Sequence, residues 1–171
     1  MTDIAERTPN EPPFVYVAYI RTTPDALWRA LTTSEFTARY WSGVIQETEW
    51  RVGGSVRFLR DGELIDSGEV LEFDPPRRLA YTFKPEWNAD LAHLPPGRVS
   101  FGLERDGQVV KLTLVHDHIA SPVIRNGVGR GWPMVISTLK TLLETGEAFS
   151  IGERSRVGED MARVAAETRN G

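Results

Sequence analysis

The stretch GRGWPMVISTLKTLLETG, residues 129 to 146, constrains the fold more than any other part of the 171-residue chain. Trp132, Val135, Ile136, Leu139, Leu142 and Leu143 recur at steps of three and four, which lays one apolar stripe along a helix of about three turns. Ser137, Lys140, Thr141 and Glu144 form the opposite, polar face. Gly146 is a natural left-handed stop, and Pro133 suits an early helical position where no intrahelical N–H bond is lost. A large apolar side chain gains roughly 1.5–3 kcal/mol on burial, so covering this stripe contributes as much as the net stability of many domains. The rest of the chain has to supply the cover.

It offers strands for the purpose. FVYVAYIR, from Phe14, is β-branched and aromatic and predicts a strand. Thr23-Pro24-Asp25 then carries a cap, an N1 proline and a first-turn acid, which predicts the short helix DALWRALT. Ser34 is expected to cap a second one, SEFTARYW, ended by Ser42-Gly43. From Val52 to His118 the pattern becomes a meander: GGSVRFLRDG, ELIDSGEVLEF, DPPRRLAYTFK, RVSFGLERDG and QVVKLTLVHDH. With the first strand this predicts six. Asp61-Gly62 and Asp106-Gly107 are expected in tight type I′ hairpins, and Asp74-Pro75-Pro76 in a fixed turn.

Alternation puts Leu79, Tyr81 and Phe83 on one face, likewise Val99, Phe101 and Leu103, and likewise Val110, Leu112, Leu114 and His116. Glycines at 53, 54, 68 and 102 predict bends or bulges. A single curved sheet on one long helix has a wide mouth that side chains fill with difficulty. The loop KPEWNADLAHLPPG, residues 84 to 97, is long enough to be a partial helix or a flap over such a mouth, and IASPVIRNGVGRG after His118 reads as irregular.

Charge and composition exclude several classes. A formal net charge of −4 without a basic stripe argues against nucleic acid as a partner. With no cysteine there is no disulfide, thiolate metal site or cysteine nucleophile. No stretch approaches the ~20 apolar residues of a membrane span, and the start MTDIAERTPNEPP lacks a signal peptide's basic and apolar regions. A cytoplasmic protein without membrane contact is expected. Its layout reads as a leader over 1–13, one domain over 14–148 and a polar tail over 149–171, where Ser155 could cap a short helix bearing Val157, Met161, Val164 and Ala165.

Candidate chemistry gathers at His116-Asp117-His118. Two strand histidines at i and i+2 would share a face and could hold a metal or relay a proton, but the remaining His93 lies in the long loop and no ligand set is complete, so the pair reads first as a polar patch lining the cavity mouth and no metal and no cofactor is assigned. His116 is in phase with Leu112 and Leu114, so it is either an inward acid–base group or a neutral core residue. Asp66 could be a second polar group inside. Neither a G-x-S-x-G elbow nor a phosphate-binding glycine loop is present, and no residue is assigned as catalytic.

The order of one strand, TPDALWRALT, EFTARYW, glycine-rich hairpins, GEVLEFDPPRRLAYTF and the final GW….STLKTLLETG resembles the Aha1-type (activator of Hsp90 ATPase homologue) branch of the START/Bet v 1-like SRPBCC superfamily, over residues 14 to about 148. The resemblance implies an α+β helix-grip fold: a curved antiparallel sheet wrapped on a long C-terminal helix over a hydrophobic cavity, with two short helices after the first strand. It implies ligand binding of an apolar or amphipathic small molecule. The expected lining is Trp41, Phe58, Tyr81, Phe101, Leu112, Leu114, His116, Trp132, Ile136 and Leu139, with Tyr81 and His116 orienting the ligand. An Hsp90-type chaperone or a homodimer through a sheet edge are alternative partners, and a cyclase- or hydrolase-type enzyme using His116 is the third reading.

Overall fold

A computed structural model describes residues 11–150; the tail residues Ser155, Val157, Met161, Val164 and Ala165 and most of the expected leader lie outside them. The chain runs β1 (Phe14–Ile20), α1 (Pro24–Thr32), α2 (Ser34–Tyr40), β2 (Ile45–Thr48), β3 (Ser55–Arg60), β4 (Glu63–Asp74), β5 (Arg78–Pro85), β6 (Gly97–Asp106), β7 (Val109–Asp117) and α3 (Pro122–Thr145). All strands form one antiparallel sheet in the order β1-β7-β6-β5-β4-β3-β2. This is the α+β helix-grip architecture, with seven strands rather than the expected six.

The strand missed in the sequence is β2. Its binary pattern is reversed: Ile45 is 48% exposed while Gln46 is 6% exposed. The buried amide donates to the Leu31 carbonyl at 3.0 Å, and the Ser34 hydroxyl donates to the Gln46 carbonyl. Ser34 therefore ties α2 to the sheet instead of capping the helix; the N-cap position falls to Thr33, whose side chain makes no capping bond. The cap predicted for α1 is in place, Thr23 Oγ1 accepting from the Ala26 N–H at 3.2 Å.

The long helix starts at Pro122, not near residue 129, with Ser121 as its N-cap accepting from the Val123 N–H. Glycines 127, 129 and 131 weaken helix propensity and hid this first half. Pro133 consequently lies mid-helix, where it removes the N–H that the Gly129 carbonyl would otherwise receive. Gly146, at φ 86°, ends the helix as expected, its N–H donating to the Leu142 carbonyl at 2.8 Å.

The hairpin turns divide. Asp61 and Gly62 both have positive φ, as a type I′ turn requires. In the β6–β7 hairpin, Asp106 pairs with Val109, so the loop residues are Gly107 and Gln108; only Gly107 has positive φ, the type II′ pattern. The sheet's register shifts lie at Phe58/Leu59 and Val70/Glu72 rather than at the expected glycines. Gly68 serves close approach instead, since a Cβ there would sit 1.8 Å from the Thr82 carbonyl oxygen. In the long 84–97 loop a 3-10 turn, Ala89–Leu91, buries Leu91 against the core.

The three predicted inward sets, on β5, β6 and β7, are all buried and face α3, which contributes Trp132, Val135, Ile136, Leu139 and Leu142 to the same core. Outside, the sheet carries cross-strand ion pairs, Arg57–Glu47, Arg78–Glu72 and Lys111–Glu104, whereas β1 exposes Val15, Val17 and Tyr19.

Candidate functional site

Between the middle of α3, at Trp132, Val135 and Ile136, the end of α2 and the inner face of β3, β5 and β6, most of the side chains are aromatic. Trp41 meets Phe58 at 5.1 Å and Trp132 at 5.3 Å between ring centroids; Phe58 meets Tyr81 at 5.8 Å; Phe101 stands edge-on to Trp132 at 5.9 Å. Trp41 follows the end of α2, which the Ser34 hydroxyl ties to β2 at the Gln46 carbonyl, and Phe58 stands at the register shift between β3 and β4. The space they enclose, also lined by Leu31, Thr37, Tyr40, Leu79, Val135 and Ile136, is about 10 Å³, at the lower edge of what one water molecule needs.

Of the expected lining, Trp41, Phe58, Tyr81, Phe101, Trp132 and Ile136 border this space. Leu112, Leu114 and Leu139 are fully buried beyond it, in the aliphatic part of the core. His116 stands at the flank: it is 1% exposed, its ring meets Phe83 edge-on at 5.1 Å, and its Nδ1 accepts a hydrogen bond from Trp132 Nε1–H at 3.2 Å. An indole nitrogen can only donate, so Nδ1 carries no proton and the hydrogen of the neutral ring is on Nε2. Burial agrees, lowering the His116 pKa from 6.5 to about 4, with Arg125 acting in the same direction and Asp117 opposing. In this tautomer Nε2 is a donor, which disfavours His116 as a general base.

His118 does not join it. β7 ends at Asp117, His118 takes a positive φ of 55°, and its exposed ring lies 2.7 Å from the Asp117 carboxylate through Nδ1. The i, i+2 pairing expected from the sequence fails because the strand stops between the two residues. No group of three or more metal-ligating side chains occurs among the described residues.

A second polar group does enter the interior. Asp66, opposite Phe58 and Pro85 in the sheet, is 5% exposed. Burial pushes its carboxyl well above the usual carboxylate range, against the pull of Arg60 and with added repulsion from Glu86. Tyr40 and Tyr81 are held neutral by burial as well. Three buried polar atoms around the aromatic rings have no hydrogen-bond partner: Trp41 Nε1, Asp66 Oδ1 and His116 Nε2. The sequence placed His116 inside and offered Asp66 as a possible second polar group there, but Thr37 was missed; its spacing of four from Trp41 carried the signal.

The comparisons agree with this architecture. The family model described as activator of Hsp90 ATPase homolog 1-like protein matches residues 21–144. CalU16 from Micromonospora echinospora has a similar structure, at 25% identity and TM-score 0.65 over 90% of this chain and 86% of that one. The Aha1 dimer from Colwellia psychrerythraea is similar at 17% identity and TM-score 0.66, over 81% of this chain and 100% of that one. An Hsp90 activator from Plasmodium falciparum is similar at 18% identity and TM-score 0.63, over 77% and 95%. No curated protein sequence matches significantly. The chain belongs to the activator of Hsp90 ATPase homolog 1-like family.

Proposed function

We propose that this protein binds a small apolar or amphipathic molecule between α3 and the sheet, and that the state described here is the closed one. One observation carries the reading: of the buried polar side-chain atoms without partners, which also include Gln46 Oε1, Thr48 Oγ1, Trp87 Nε1 and Arg98 Nε, that of Trp41 belongs to the lining of the aromatic space and those of Asp66 and His116 lie on neighbours of its rings, Phe58 and Trp132. Each such group costs about 1–3 kcal/mol when left unsatisfied, and buried polar groups in a purely structural core are paired as a rule. A ligand supplies the missing partners.

A space of about 10 Å³ is far below the roughly 300 Å³ of a small-ligand pocket, so uptake requires the rings to part. The first half of α3 is built for that movement, with three glycines and the bond lost at Pro133. The neutral fluorescent probe N-phenyl-1-naphthylamine tests the reading. Saturable uptake by the wild type, reduced in an Ile136→Phe variant of unchanged circular dichroism, supports it. No uptake, or equal uptake by the variant, contradicts it.

A second reading, an interaction module, is favoured by the apolar row Val15, Val17 and Tyr19 on the edge strand β1. The dimeric and Hsp90-activating names of two structural neighbours point the same way. If it holds, saturating protein raises the ATPase rate of an Hsp90-type chaperone, or Val17→Lys turns a dimer into a monomer in sedimentation. Neither change leaves ligand binding alone.

A further inference from the structure

The residues that alternate with the buried sets of β5, β6 and β7 form the outer face of the sheet, away from α3. Register aligns Val17 of β1 with Thr113 of β7, Thr113 with Gly102 of β6, and Gly102 with Arg78 of β5. One band therefore crosses four strands on that face. At its β1 end Val15, Val17 and Tyr19 are 55, 43 and 50% exposed, so no helix of the described residues is laid over them.

Gly102 makes the band unusual. Its φ is outside the left-handed region and a Cβ added there meets nothing within 4 Å, so neither the backbone nor the packing of the described residues calls for a glycine. Gly68 and Gly97 are different, because Thr82 and His116 would crowd a side chain at those positions. A glycine inside a strand forfeits packing, and it often marks the close approach of another segment or a ligand. Above Gly102 lies an open groove of about 410 Å³, bordered by Arg77, Arg78, Glu104 and Thr113.

The chain carries a segment suited to this band. Residues 155–168 lie outside the described residues; in sequence, Val157, Met161, Val164 and Ala165 stand at i, i+4, i+7 and i+8, with Glu159 and Arg163 on the opposite side. Fourteen helical residues measure about 21 Å, close to the roughly 23 Å of the seven-residue β1. The tether is in place as well. Lys140 Nζ donates to the Tyr19 carbonyl at 2.7 Å and the Arg21 N–H donates to the Glu144 carboxylate at 2.9 Å, which sets the last turn of α3 beside the Tyr19 end of β1, the outermost strand. Nine residues lead from Gly146 to Ser155, and extended they reach about 30 Å, enough to pass around that edge.

We propose that residues 155–168 fold back as an amphipathic helix on the outer face of β1, β7 and β6 of the same chain, laying their apolar row over Val17 and Tyr19 and into the space above Gly102. A helix of this length is marginal in water by itself, so its order depends on that face. The proposal is independent of ligand binding, whose site lies on the other side of the sheet. It competes with the interaction-module reading for the β1 row: a partner or a second copy has to displace the helix to reach Val17.

Hydrogen–deuterium exchange of the full chain, read by mass spectrometry at a concentration where sedimentation shows monomer, tests it. Amides of 155–168 are expected to exchange at least about tenfold more slowly than in an unfolded chain. Val17→Asp and Gly102→Arg, both at outward positions with room for the new side chain, should each return those amides to the unprotected rate while β6 and β7 keep theirs. Met161→Asp should do the same from the tail, without touching the sheet. No protection in the wild type overturns the proposal. Protection that survives either sheet variant removes the helix from this band and overturns it as well. Protection that appears only as the protein dimerises gives the face to a second copy and overturns the same-chain assignment. Uptake of N-phenyl-1-naphthylamine is read separately and should be unchanged in Val17→Asp, so failure here leaves the ligand-binding reading standing.

Discussion

The chain builds two tryptophan clusters on opposite parts of the sheet, and they are finished differently. Trp28 and Trp50 pack on Phe73, at 5.4 and 5.7 Å between centroids, and the Trp50 indole N–H donates to the Thr32 carbonyl at 2.9 Å. Trp41 and Trp132 pack on Phe58 and Phe101, but Trp41 Nε1 has no partner and the Trp132 bond leaves His116 Nε2 without one. The first cluster pins α1 and the turn after β2 to β4, with the Trp50 indole N–H satisfied by α1. The second combines the same residue types with open polar valences at the helix half weakened by glycine and proline. Under the proposed function the unmet hydrogen bonds at Trp41 and His116 mark the second cluster as the candidate site; Gln46 Oε1, Thr48 Oγ1, Trp87 Nε1 and Arg98 Nε are also buried without partners, so the distinction rests on the aromatic cluster and the unmet bonds together.

The sharpest way to break that contrast is truncation. Trp132→Ala should cost about 3–5 kcal/mol in chemical denaturation, by burial lost and cavity formed, and should abolish probe uptake. A Trp28→Ala variant that equally abolished uptake, in folded protein, would remove the distinction between the clusters.

Acid comes next. The unfolded His116 imidazole takes up a proton near pH 6.5, whereas the buried ring resists until about 4. Between those values the unfolded state binds more protons, so this residue's contribution falls as pH falls, by about 3 kcal/mol across the window. Asp66 works in the opposite sense: its raised pKa stabilises the fold at low pH and that share is lost as pH rises through the folded value. The stability difference between wild type and His116→Phe isolates the histidine and should shrink from pH 6.5 to 4. Asp66→Asn should gain stability relative to wild type toward alkaline pH, read from denaturation midpoints at each pH.

Smallest is Trp50→Phe. It deletes one hydrogen bond to the Thr32 carbonyl and should cost about 1 kcal/mol with probe affinity unchanged. Altered affinity here would extend the site across the sheet.

The grip of sheet on helix was legible because its signals are periodic. The stripe through Ile136 and Leu139 and the alternation through Tyr81, Phe101 and Leu112 are local patterns that tertiary packing reinforced. What sequence reading missed opposes local preference: Gln46 buried in place of Ile45, and a helix running through Gly127, Gly129 and Gly131 because its other residues are held against the sheet. The open valences at Trp41 and His116 were illegible for another reason. Periodicity tells which residues point inward, but whether an inward polar atom finds a partner depends on contacts between α2, β7 and α3, remote in sequence.

The central claim is that the Trp41–Trp132 cluster opens to a ligand while the Trp28–Trp50 cluster does not. The indole N–H resonances of a 15N-labelled sample, followed during titration with N-phenyl-1-naphthylamine, test it most directly. The account predicts that the Trp41 and Trp132 signals shift together and saturably while those of Trp28 and Trp50 stay in place. Shifts at Trp28 and Trp50 instead, or no shift of any indole up to the probe's solubility limit, would contradict it.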